Sequence, residues 1–220
     1  MKQPWWKILQ SYFWEVPLET ISSDEHELLQ VLLIQGQYQL VSPNAIYSYG
    51  ELYTNFLRAF QKLDIAPWHE KKVLVLGLGL GSIPLIIEKR FHKEWEYTIV
   101  EFDEAVIHLA EKYVLKHLRA PIEIIHADAL AFVHQSEEQF DMICMDIFFD
   151  DTIPSQFESP DFLKNLKQLL NPKGILLYNR LALNEQDRQK SQAFFDNAFK
   201  SVFPNGQKMD VGRNWMLLNQ

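Results

Sequence analysis

"VLVLGLGLGSIP", Val73 to Pro84, begins as an apolar strand and then sets three glycines two residues apart: Gly77, Gly79 and Gly81. After a buried strand this spacing lets the chain turn sharply and brings backbone N–H groups close to a ligand, where a Cβ would collide with it. The helix that follows adds a positive N-terminus. A dinucleotide fingerprint, G-x-G-x-x-G, would require glycine at position 82; Ser82 stands there, which weakens a nicotinamide reading. A tight strand-to-helix turn without a ligand would use the same glycines, so the neighbouring strands must decide between the two.

Outward from this turn the pattern alternates between short apolar runs and helical stripes, the sign of βαβ units and a largely parallel sheet. Strands are expected at 71–78, 96–102, 122–127, 140–148 and 174–181. Helices are expected at Ser82 to Phe91, Glu104 to Lys116, Ala129 to Gln135 and Asp161 to Leu170. A fifth helix lies within 184–203, where Phe194, Phe195, Ala198 and Phe199 share one face. "GQKMDVG" and "NWMLLNQ" follow with no room for a helix between them, which predicts an antiparallel edge hairpin and seven strands in all. Toward the N-terminus, "LLQVLLIQGQYQLVS" reads as two strands meeting near Gly36, with a further strand at Tyr12 to Ile21. "SYGELYTNFLRAFQKL", 48–63, reads as a helix leading into the main domain. The expected division is a β-hairpin extension at 1–48 and an α/β domain at 49–220.

The 47% hydrophobic and 23% charged fractions are those of a globular protein. A net charge of −8 argues against broad attraction to nucleic acid, because neutralising phosphates needs a basic face. The single cysteine, Cys144, cannot form an internal disulfide and reads as a buried, inert thiol, in keeping with a reducing cytoplasm. Lys7 and Glu15 interrupt the N-terminal aromatic stretch before a secretory apolar region develops, and no run reaches the roughly 18 apolar residues of a membrane span.

Three carboxylates join the glycines. Glu101 ends the second main-domain strand, 20 residues after Gly81, where a carboxylate can accept both hydroxyls of a ribose; a solvated strand-end acid is the alternative. Asp128 in "IIHADALAF" stands where it can cap the next helix or accept from an adenine amino group, and the two uses are compatible. Asp146 ends the fourth strand. All three, with the glycines, fall at carboxyl ends of parallel strands, where such sheets bind ligands.

This arrangement resembles the class I S-adenosylmethionine-dependent methyltransferases, and more narrowly their spermidine synthase-like branch, over roughly Gly36 to the C-terminus. The narrower resemblance rests on Val75, where ordinary methyltransferases carry an acid, on "EFDEAVI" at Glu101 to Ile107, on "HADALAF" and "FDMICMD", and on "YSYGELY" ahead of the first main-domain helix. It implies a Rossmann-like seven-stranded sheet with helices on both faces, an S-adenosylmethionine or decarboxylated S-adenosylmethionine cleft, and a homodimer. Gly77, Gly79 and Gly81 would bracket the amino acid end of the nucleoside, Glu101 the ribose and Asp128 the adenine. Asp146 would take the proton of the attacking group, and Tyr49 would line the substrate pocket.

The chain departs from the branch at Leu80, where an acid binds the amino end of the decarboxylated nucleoside. It departs again at Phe149, where the second acid of a D-x-x-D pair holds the diamine, and at Gly50, where glutamine is usual. In "IFFDDTIP", Phe148 and Phe149 are either core aromatics or selectors of a less polar acceptor, with Asp150 replacing the missing acid. The leading expectation is therefore methyl transfer to a small acceptor. Aminopropyl transfer to a diamine is the first alternative, and a non-catalytic nucleoside-binding protein the second. The seven histidines show no metal-ligand spacing. Trp5, Trp6, Phe13 and Trp14 read as a packing or dimer-contact cluster.

Overall fold

The structure is a computed structural model that describes residues 3–43, 45–149 and 152–220. Its larger sheet has seven strands, and the order in which they lie places the site. Strands β5 (Lys72–Leu76), β6 (Glu96–Glu101) and β7 (Ile122–His126) run outward in one direction; β8 (Phe140–Met145) and β9 (Leu170–Leu181) return to the other side of β5. These five are parallel. β10 (Gln207–Asp210) and β11 (Asn214–Leu218) close the β9 edge as the expected antiparallel hairpin. The reversal between β5 and β8 opens a crevice at their carboxyl ends, the position where open α/β sheets take ligands.

Alternation along β5 explains why it is apolar from Val73 to Leu76. Val73 and Val75 face one core, with Phe56 from α2 (Thr54–Lys62), Ile83 from α3 (Ser82–Phe91) and Leu109 from α4 (Glu104–Tyr113). Leu74 and Leu76 face the other, with Val133 from α5 (Ala129–Gln135), Leu163 from α6 (Pro160–Gln168) and Phe194 from α7 (Glu185–Phe194). A strand buried on both faces has no polar side to offer water. Beyond Phe194 the helix widens into a π turn, Phe195–Phe199, and both Phe194 and Phe195 stay buried against Phe199.

The N-terminal region is a four-stranded antiparallel sheet, β1 (Val16–Ile21), β2 (Leu29–Ile34), β3 (Gln37–Val41) and β4 (Ile46–Ser48), preceded by a short helix α1 (Trp5–Gln10). The β2–β3 turn is Gln35–Gly36 with positive φ at both residues, the geometry that matches strand twist in a two-residue hairpin. Ser11 pins it, its carbonyl accepting from Gln35 N at 2.8 Å and its Oγ from Gly36 N at 2.9 Å.

Several boundaries differ from the sequence expectation. The helix expected from Ser48 starts at Thr54, because Ser48 is drawn into β4 opposite Leu40 and a 3₁₀ turn at Gly50–Leu52 intervenes. A fourth N-terminal strand, ending at Ser48 where the helix was expected to begin, therefore joins the three expected. The helix from Glu104 ends at Tyr113 rather than Lys116, giving way to a 3₁₀ turn at Leu115–His117. β9 starts at Leu170, four residues early, through an irregular register opposite Phe140. The tryptophans and phenylalanine at 5, 6, 13 and 14 are exposed, so packing within the chain does not account for them. No helix among the described residues is long and apolar enough to cross a membrane.

Candidate active site

Gly77 leaves β5 beside the end of β8, with φ +90°; a Cβ there would lie 2.5 Å from the Asp146 carbonyl oxygen. At Gly79 a Cβ would come within 2.9 Å of the Tyr47 carbonyl oxygen. The bare backbone is thus demanded first by the protein's own strands, which press against the turn from two sides. Gly81 caps α3 with left-handed backbone beside Leu115; unlike Gly77 and Gly79 it is not part of the cavity that opens over this turn. Leu80 is fully buried in the core.

A first cavity of about 340 Å³ opens over this turn, within the size range of small-ligand sites. Glu101, Asp128 and Asp146 all line it, as the strand-end reading expects. Glu101 Oε2 accepts from Leu78 N at 2.8 Å, and Oε1 accepts from Phe102 N at 2.8 Å and Asp103 N at 3.0 Å. Burial pushes its carboxyl up, against the pull of these three N–H groups. Lone-pair capacity remains on Oε2, toward which a ligand hydroxyl could donate. Asp128 caps α5, its Oδ1 accepting from Ala131 N at 2.8 Å. Of the residues expected in the substrate pocket, Phe149 instead lines this first cavity, its ring stacked on His26 at 5.8 Å. Asp150 lies outside the described residues.

One wall of the cavity comes from the N-terminal sheet. His26 Nδ1 lies 2.8 Å from Asp103 Oδ2 and its Nε2 3.0 Å from the Tyr47 hydroxyl. Ser23 Oγ donates to the same Asp103 oxygen at 2.6 Å, while Oδ1 caps α4 by accepting from Ala105 N. Burial acts to raise the Asp103 carboxyl, but Ser23 and His26 outweigh it and hold the group low. A buried pair of hydroxyls, Ser48 and Ser82, 2.6 Å apart, ties β4 to the start of α3.

A second cavity lies on the far side of Asp146, between β4 and the β10–β11 turn, and includes Tyr49, Tyr53, Asn55, Asn179 and Arg213. Asp146, Tyr47 and Phe148 line both cavities and form the partition. Asn179 Nδ2 donates to Asp146 Oδ1 at 2.8 Å, and the Tyr53 hydroxyl donates to Oδ2 at 3.0 Å and Oδ1 at 3.2 Å. Asn179 is oriented in turn by Asn214, whose amide donates to its Oδ1 at 2.9 Å. Burial raises the Asp146 carboxyl to about 7 even against these two donors. Burial and the neighbouring Asp146 charge push the Tyr53 phenol well up, so Tyr53 remains a donor. Tyr49 is raised by burial and by Glu15. Cys144 is buried and raised the same way, with no sign of an activated thiol.

The sequence reading placed Tyr49 beside this pocket but missed Tyr53, which makes the contact to Asp146. Both tyrosines belong to "YSYGELY", and nothing local tells which one faces the acid. Asn179, His26 and Asp103 were also missed. Asp103 carried a signal, an acid just before an apolar helical stripe; Asn179 and His26 carried none, since a polar residue within a strand or a loop has no distinctive spacing.

A sequence model of the spermine/spermidine synthase domain matches residues 49–209. A probable polyamine aminopropyl transferase of Bifidobacterium longum is 26% identical over 208 residues, covering 90% of this chain and 45% of that protein, so the chain spans less than half the length of this relative. Among solved structures, spermidine synthase from Thermotoga maritima superposes with a TM-score of 0.69 at 14% identity, over 92% of this chain and 72% of the other. Human methyltransferase-like protein 13, in complex with SAH, superposes with a TM-score of 0.57 at 22% identity, over 75% of this chain and 78% of the other. At such identities the structural likenesses establish the fold alone, but the domain match extends over most of the sequence: the chain belongs to the spermine/spermidine synthase family.

Proposed function

We propose that this chain is a transferase that binds S-adenosylmethionine in the first cavity and passes its methyl group to a small acceptor held in the second. The observation that carries this reading is Asp146, a carboxyl with a pKa near neutrality that lines both cavities at once. The first cavity fits a nucleoside. Glu101 retains capacity for a ribose hydroxyl, Asp128 offers an acceptor for an adenine amino group, and Val106, Ala129 and Phe157 supply apolar wall for a purine.

When bound, the sulfonium compound supplies an activated carbon and its own leaving group. The acceptor's lone pair would form the new bond to that carbon while the carbon–sulfur bond broke, the bonding pair remaining on sulfur as a neutral thioether. The proton lost by the acceptor goes to Asp146, which returns it to solvent. Tyr53 and Asn179 hold the carboxylate in place, and positioning of the two reactants contributes most of the rate, up to roughly 7–11 kcal/mol for well-oriented reactants. General-base action by Asp146 adds about 10²–10⁴-fold.

Aminopropyl transfer from decarboxylated S-adenosylmethionine is the second reading, favoured by the domain match and by the Bifidobacterium relative. Against it stand the apolar Leu80 and the second cavity, where Asp146 is the one carboxylate among the described lining residues. Calorimetric titration with each nucleoside separates the two. Preference for the intact form supports methyl transfer, preference for the decarboxylated form supports aminopropyl transfer, and binding of neither removes both.

A further inference from the structure

The second cavity carries a charge pattern that a diamine site would not use. Among the described residues that line it, the ionisable pair is one carboxylate, Asp146, and one guanidinium, Arg213. Arg213 stands in the β10–β11 turn and makes no ion pair among the described residues. The turn itself is pinned from two sides: from α2, Arg58 donates to the Val211 carbonyl at 2.9 Å and Lys62 to the Asp210 carbonyl at 2.6 Å, and just past β9, Ala182 N donates to the Arg213 carbonyl at 2.9 Å. The anchored turn therefore presents to the cavity a cation with no ion pair among the described residues.

Among the described residues the cavity is thus lined by one carboxylate, Asp146, and one guanidinium, Arg213, with Tyr49, Phe148 and Leu181 adding aromatic and aliphatic wall.

We propose that the acceptor is a small carboxylic acid bearing an amine or hydroxyl, its carboxylate paired with Arg213 and its nucleophilic N–H or O–H directed at Asp146. This rests on the transferase reading of the same site. A guanidinium matches a carboxylate with two parallel charge-assisted hydrogen bonds, whereas the second ammonium of a diamine would meet like charge.

The test uses full-length protein saturated with S-adenosylhomocysteine and two matched pairs of probes, 5-aminopentanoate against 1,5-diaminopentane and 3-(4-hydroxyphenyl)propanoate against tyramine. Binding is read by calorimetry. At least one acid is expected to bind more tightly than its amine partner, and Arg213→Glu, an exposed position, to weaken that acid by about tenfold or more. Preference for the amines, binding of neither acid, or an acid affinity unchanged in Arg213→Glu overturns the inference. Failure of the protein to take up S-adenosylhomocysteine would instead count against the transferase reading on which it rests. Melting curves of the variant, expected to match the parent, separate lost recognition from lost fold.

Discussion

The two cavities share a partition and are built in opposite ways. Glu101, Asp128 and the glycine turn in the first each sit at the end of a strand, in chain order, and three of those strand ends lie within about fifty residues of sequence. The second gathers Tyr53 ahead of α2, Asn179 from β9 and Arg213 from the last hairpin, the first more than a hundred residues from the other two. A site made from strand ends inherits its geometry from the sheet. One assembled between an N-terminal sheet and a C-terminal hairpin takes its chemistry from whichever side chains those elements bring, which is where relatives with one fold diverge in acceptor.

The sharpest way to break this comparison is to act on the shared residue. Asp146→Asn is expected to lower turnover by about 10²–10⁴-fold while nucleoside affinity in the first cavity changes little. If affinity falls as far as turnover, the cavities are not separable. The same variant carries a stability signature. Because the folded Asp146 pKa is raised to about 7, its proton stabilises the fold at low pH, and that contribution is lost as pH rises through about 7. Asp146→Asn should therefore melt higher than the parent at pH 8, by a margin that shrinks as pH falls from 7 toward 4.

Gly77→Ala follows, because a methyl at φ +90° would press on the Asp146 backbone that belongs to both cavities. Backbone strain alone costs about 1–3 kcal/mol, and urea unfolding together with nucleoside titration should show stability and binding falling in parallel. Retained affinity would mean that the turn can relax independently of β8.

Tyr53→Phe is a finer probe of the second cavity alone. Turnover should rise with pH as Asp146 ionises, with a midpoint near 7 in the parent. Losing the Tyr53 donor removes a stabiliser of the carboxylate and moves that midpoint up by about one pH unit. An unmoved profile would show that the hydroxyl merely fills space. The smallest effect is expected on the first cavity's N-terminal wall. His26→Ala leaves Asp103 with Ser23 and Ala105 but without the ring, and releases Phe149. A loss of about 1 kcal/mol in chemical denaturation is expected, with nucleoside affinity lowered and acceptor affinity spared.

Legibility followed the same division. All seven strands of the larger sheet were located: the central ones because a strand buried on both faces must be apolar whatever its neighbours are, and the edge hairpin because no helix fits between its two short stretches. Periodicity failed at Ser48–Tyr53, where a tyrosine-rich stretch reads equally as helix or strand and only pairing with β3 and the Ser82 hydroxyl decides. The sequence reading placed Tyr49 beside the second cavity, which Tyr49 lines, but not Tyr53, whose contact with Asp146 spacing within a turn does not reveal.

By itself the sequence determined the parallel sheet, the strand-end carboxylates and the glycine turn, all of which follow from local patterns of apolar burial and backbone freedom. Only the tertiary structure decided what surrounds Asp146. Its raised pKa, its two hydrogen-bond donors and the cation facing the second cavity depend on through-space neighbours from distant segments, and electrostatic environment is set by distance in space rather than by separation along the chain.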